Sequence, residues 1–165
     1  MLSFCQWLAD TPFSTGIRES TYVYPVIESV HVLSLCLFVG LLLLWDLRLL
    51  GITLPRIAVS EVWARLIPWI TFGAVLMVIS GLLLFASDPV RFGNIFFRVK
   101  AVGLVLALLN ALAFHFGIER RIVEWDTSAV TPRAAKWAGG VSIALWAAIV
   151  VTGRFVAYNW FPPLV

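Results

Sequence analysis

Four separated runs of apolar residues constrain this chain more than any other feature of its sequence. A hydrocarbon core about 30 Å thick is crossed by about 20 residues of helix. Runs of that length stand at about 25–45, 63–86, 97–118 and 137–158. The 165 residues are 61% hydrophobic and 13% charged, with a mean hydropathy of +0.97. Soluble domains are nearer ~45–50% apolar and ~25% charged, so lipid has to be part of this chain's solvent. The expectation is an all-α fold: an integral membrane four-helix bundle forming one transmembrane domain over residues 1–165, with the lipid bilayer as its first partner.

Local signals agree with these spans. Pro25 suits the first turn of a helix, and Pro68 near the start of the second span predicts a kink. Trp45, Trp63, Trp69, Trp137, Tyr158 and Trp160 fall near span ends, where an aromatic belt belongs. Ahead of the first span, LSFCQWLA followed by DTPFSTG predicts a short helix lying at the interface, anchored by Trp7 and Phe13. It lacks a basic n-region, and Asp10, Pro12 and Gly16 interrupt it, so it does not read as a signal peptide.

Charge sets the expected orientation. Arg48, Arg56 and Arg65 flank the first loop, and Arg120, Arg121, Arg133 and Lys136 the third. The opposite side has Arg18, Arg91, Arg98, Lys100 and Arg154. The positive-inside rule then places loops 1–2 and 3–4 in the cytoplasm and both termini in the periplasm. A net charge of +3 without a long basic patch excludes nucleic acid as a partner. Cys5 and Cys36 belong at different depths and predict neither a disulfide nor a CxxC metal site.

Ionisable groups within a span cost about 2.5–3.5 kcal/mol each at the helix centre and commonly mark function. The candidates are Glu28, His31, Lys100, His115 and Arg154. Glu28 and His31 share a helix face, which makes Glu28 one expected partner of His31. His31 comes early in the first span and His115 late in the third, a height difference of roughly 15 Å, so the two cannot clamp one haem. The outer layer gathers Glu28 and His31 with the cations Arg98, Lys100 and Arg154; the inner layer holds His115, with Asp46, Arg48, Glu119, Arg120 and Arg121 at the rim, Asp46 and Arg48 capping the end of the first span. Lys100, Gly103, Ala107, Ala111 and His115 share a face whose small side chains leave a groove for a flat macrocycle or for a neighbouring helix. Two echoes, VHV at 30–32 against VKA at 99–101 and Ser80-Gly81 against Thr152-Gly153, point to a duplicated helix pair.

The blocks IRESTYVYPVIESVHVLSL, DLRLLG, FRVK, NALAFHFGIERR and TGRFVAYN resemble a bacterial four-helix membrane family of unknown function, which implies a bacterial inner membrane. More distantly, ESVHVLSLCLFVG and FRVKAVGLVLALL resemble the copper-resistance D and HemJ-type protoporphyrinogen oxidase group. That resemblance implies haem b at His31 with Lys100 beside it. VIES replaces the tryptophan- and lysine-rich approach of that group, which argues against the oxidase activity itself.

The leading expectation is therefore a haem b-binding membrane protein in electron transfer, or the haem-bearing subunit of an oxidoreductase. Its cofactor-binding residues are His31, Lys100, Arg154, Arg98 and His115, with His31 and His115 as metal ligands. A homo-oligomer or other membrane subunits are the expected protein partners. The alternatives are a non-catalytic anchor, suited to the small-residue faces of the fourth span, and a copper-handling module.

Overall fold

A computed structural model describes residues 2–126 and 131–156. The last residues of the fourth expected span, together with Tyr158 and Trp160, lie outside them. Two short helices come first, α1 (Leu2–Ala9) and α2 (Pro12–Glu19). Four long apolar elements follow: α3 (Val23–Leu50), α4 (Val59–Ser87), α5 (Ile95–Ala113, continued by a π turn at Phe114–Ile118) and, after the short α6 (Ile122–Trp125), α7 (Arg133–Phe155). Each long element is long and apolar enough to cross a membrane. The protein is an all-α, multi-pass membrane protein. The end carrying α1 and α2 is called outer below, and the opposite end inner.

The helices extend beyond the apolar runs because polar end residues find caps. Gly51 closes α3 in the left-handed conformation, φ 80°, which glycine adopts without strain. Asn94 caps α5 by accepting the Phe96 N–H at 2.8 Å. Helix α4 runs unbroken through Pro68. The interfacial segment forms two helices because Pro12 begins α2, whose Thr11 cap accepts the Ser14 N–H. Cys5, Ala9, Ser14 and Ile17 turn inward, with α1 on the Pro89–Gly93 turn and α2 on α4. Phe4, Trp7 and Phe13 turn outward, the arrangement of an interfacial anchor.

The long helices form two hairpins, α3 with α4 and α5 with α7, joined by α3 against α7. Along their lengths α4 and α5 make no comparable approach. The bundle is thus closed at the α3/α7 seam and open at the α4/α5 seam. Glycines set the close crossings. A Cβ on Gly73 would lie 3.1 Å from Phe38 backbone nitrogen, and one on Gly139 3.1 Å from the Asp46 carbonyl oxygen, the small-residue contact by which helices associate in lipid.

The densest packing is at the inner end, where Trp45, Leu49, Val59, Val62, Phe114 and Trp125 form the buried core. Polar contacts lock this end. Arg48 donates from Nε (3.2 Å) and Nη2 (2.6 Å) to the Ile57 carbonyl. Asp126 accepts the Ser60 N–H at 2.7 Å and the Ser60 hydroxyl at 2.6 Å, capping α4 from a distant segment. These two Ser60 bonds hold the Asp126 carboxyl below its ordinary pKa.

A depressed folded-state pKa means that the ionised cap stabilises the fold above its ordinary value of 3.8, and that this contribution is lost as pH falls through the lower folded value. Asp126→Ala is expected to cost about 1 kcal/mol, the usual size of a lost N-cap. It should also flatten the acid limb of a stability-against-pH curve followed by thermal unfolding in detergent.

Candidate functional site

The outer half of the bundle is built differently from the inner half. Its interior positions hold small or polar side chains: Ser34, Ser80, Gly81, Gly103 and Gly153, with His31 and Lys100 among them. His31 is half-buried on α3 and packs onto α4. Its Nδ1 is 2.9 Å from Ser80 Oγ, and its Cε1 would be 3.2 Å from a Cβ on Gly81. The glycine therefore makes room for the ring.

The direction of the His31 bond follows from proton counting. Ser80 has one hydroxyl proton and three acceptors in reach, the Leu76 carbonyl at 2.6 Å, the Met77 carbonyl at 3.3 Å and His31 Nδ1 at 2.9 Å; we assign it to Leu76, the shortest contact. Ser80 Oγ is left to accept, so His31 Nδ1 carries the hydrogen and donates. In that tautomer a neutral ring carries its lone pair at Nε2, and the imidazole also meets the Met77 backbone. A carbonyl or hydroxyl that fixes Nδ1–H in this way is what orients a ligating histidine. Glu28 lies exposed, so the imidazole's partner is Ser80 on the neighbouring helix and not the carboxylate on its own.

Lys100 occupies the matching place in the second hairpin. Its Cδ and Nζ lie 3.6 Å from where a Gly153 Cβ would stand. Thr152, before that glycine, donates back to Ala148 at 2.7 Å, as Ser80 does to Leu76. Each hairpin thus sets one ionisable residue of its first helix on a hydroxyl-glycine step of its second. Fourteen residues further along α3 and α5, Trp45 and Phe114 meet edge to face. The sequence echo has a counterpart in space, as a duplicated helix pair requires.

The remaining cations sit elsewhere. Arg98 turns back to the Phe92 carbonyl, 3.4 Å from its Nε, and lies over the Phe92 ring. Arg154 is exposed on α7. His115 belongs to the inner end, because its neighbour Phe114 meets Trp45, fourteen residues and about 21 Å of helix beyond His31. It is exposed in the π turn and bonds through Nδ1 to Glu119 Oε2 at 2.6 Å. The small-residue face of α5 is occupied by a helix: Ile149 Cγ1 would lie 2.9 Å from a Cβ on Gly103. Among the described residues no three His, Cys, Asp or Glu side chains cluster as a metal cage.

One polar residue escaped the sequence reading, which placed Asp46 at the end of its helix. The residue is only 4% exposed, with Ser142 of α7 beside its carboxyl. Its position near a span end concealed it, since a carboxylate there ordinarily reaches water.

The assignment of the His31 proton is testable. Nitrogen-15 NMR of labelled histidine should report a neutral Nδ1–H tautomer for His31, and Ser80→Ala should convert it to a mixture. That substitution is expected to cost about 0.6 kcal/mol, the average interhelical hydrogen bond measured in membranes.

The family described as "Family of unknown function (DUF6644)" matches residues 4–159. No curated protein and no solved structure matches the chain.

Proposed function

We propose that this chain, which belongs to the DUF6644 family, is a haem b-binding membrane protein that passes electrons, alone or as the haem-bearing subunit of an oxidoreductase. The observation that carries the reading is the orientation of His31: Nδ1 is engaged by Ser80, and Nε2 is left as a neutral nitrogen donor. The surroundings fit such a group. Ser80 and Gly81 pack against His31, and the seam between α4 and α5, the helices that carry Ser80 and Lys100, is open. Lys100 supplies a cation for a propionate and Arg154 a second beyond it, whereas Arg98 is committed to Phe92. When bound, haem supplies one-electron chemistry. The chain's own residues would hold it and balance its charge.

His115, about 21 Å away, serves a second haem at the inner end or none. The distant likeness to the copper-resistance D and HemJ-type group supports the same two residues, His31 and Lys100. The basic loops at the inner end support a bacterial inner membrane with the outer end periplasmic.

A second reading rests on α5. Helix α7 is its one close long-helix neighbour, and Val99, Val102, Leu106, Leu109 and Phe116 stand exposed around it. That face suits a further subunit, as a membrane anchor would offer.

A reduced-minus-oxidised visible spectrum of protein purified after haem-replete expression tests the proposal. The expected result is a b-type band that His31→Ala abolishes. Loss of a second component in His115→Ala would establish two haem layers, and a colourless wild type would move the assignment to the anchor.

A further inference from the structure

Two cavities lie one above the other on the lipid-facing side of the α3/α7 seam, away from the His31 layer. The lower, of about 320 Å³, is bordered by Arg133, Lys136, Trp137 and Gly140 of α7 with Leu50 of α3. The upper, of about 290 Å³, is walled by apolar residues such as Val39, Leu43, Ile143 and Ala147, with Asp46 at its inner limit. They share one face of each helix, since 39, 43, 46 and 50 on α3 recur at helical spacing, as do 136, 140, 143 and 147 on α7. Together they form a track with a basic, aromatic mouth and an apolar body. From Lys136 to Val151 the track rises about 22 Å, most of the way across a hydrocarbon core about 30 Å thick.

We propose that this track binds one anionic glycerophospholipid, with its phosphate between Arg133 and Lys136 and one acyl chain along the α3/α7 seam. Three features select that occupant. Among the described residues that line it, the mouth carries two cations and no acid, and Asp46 above it is buried. Both cations lie in the first turn of α7, whose free N–H groups and dipole also favour an anion. Trp137, 74% exposed beside them, is placed as a headgroup-level ring should be. Basic pockets between transmembrane helices are the usual seats of anionic headgroups. A soluble phosphate would use the mouth alone and leave the apolar body bare.

Gly140 gives a test that spares the fold. A Cβ there meets nothing within 4 Å, so the side chain of Gly140→Leu starts in open space beside the track. Native mass spectrometry of delipidated protein would be run with phosphatidylglycerol, with phosphatidylcholine of the same chains and with glycerol phosphate. Size exclusion would check each variant. Wild type should retain one phosphatidylglycerol in preference to phosphatidylcholine. Arg133→Gln with Lys136→Gln should lower that retention roughly thirtyfold, as removal of two cations at a lipid surface predicts. Gly140→Leu should lower retention of both lipids, and Arg120→Gln, at the same end but off the track, should change neither. Equal retention of the two lipids, competition by glycerol phosphate as strong as by whole lipid, or full retention in Gly140→Leu would overturn the proposal. A dimer that Gly140→Leu dissociates, with no lipid held, would assign the seam to a second copy.

Discussion

Within a bilayer a polar side chain has only protein to satisfy it, and the layout of this bundle follows from that restriction. No described buried side-chain nitrogen or oxygen lacks a hydrogen-bond partner. The solutions differ with depth. Near the inner end Arg48 and Asp126 reach backbone and hydroxyl groups of the α3–α4 loop and the start of α4. In the outer half His31 uses a serine of the facing helix. That serine in turn depends on a carbonyl of its own helix. Such a chain of dependence fixes a tautomer, and a fixed tautomer is what separates a prepared ligand from an incidental imidazole.

Two hairpins of like design produce this arrangement, and their departure from symmetry creates the openings. His31 on Gly81 and Lys100 on Gly153 are matched pairs, one from each hairpin. Exact equivalence would make the α4/α5 seam resemble the α3/α7 seam. Instead Phe38 meets Trp146 edge to face and Gly139 admits the Asp46 backbone, which draws α3 and α7 together. The other seam stays apart except near its outer end, where Phe85 and Phe97 stack. One seam therefore has room beside the polar layer, and the other offers a shallow lipid-facing track.

The legible part of this fold was what a single helix encodes. Span positions come from hydropathy, and His31 and Lys100 stand out because ionisable residues are costly in apolar runs. Ser80 and Thr152 were visible as an echo, but the pairing of Ser80 with His31 depends on the register of two helices, which no local pattern carries. The same holds for Asp126, whose partner Ser60 is 66 positions away, and for Asp46, whose burial follows from the approach of Gly139. The α5 face with Gly103 was read as a groove for a macrocycle or a helix; Ile149 decides for the helix. Arg98 looked like a member of the outer layer by depth alone, yet its guanidinium turns to the Phe92 carbonyl six residues back.

The central claim is that the Ser80-held imidazole presents Nε2 to an iron. Chemical rescue tests it directly, because it separates loss of a ligand from loss of the fold. Protein with His31→Gly would be purified from haem-replete cells and its visible spectrum followed as imidazole is added. The account predicts that the b-type band is absent without imidazole and returns, saturably, with it. A band that survives the substitution would contradict it, as would folded wild-type protein that takes up no haem.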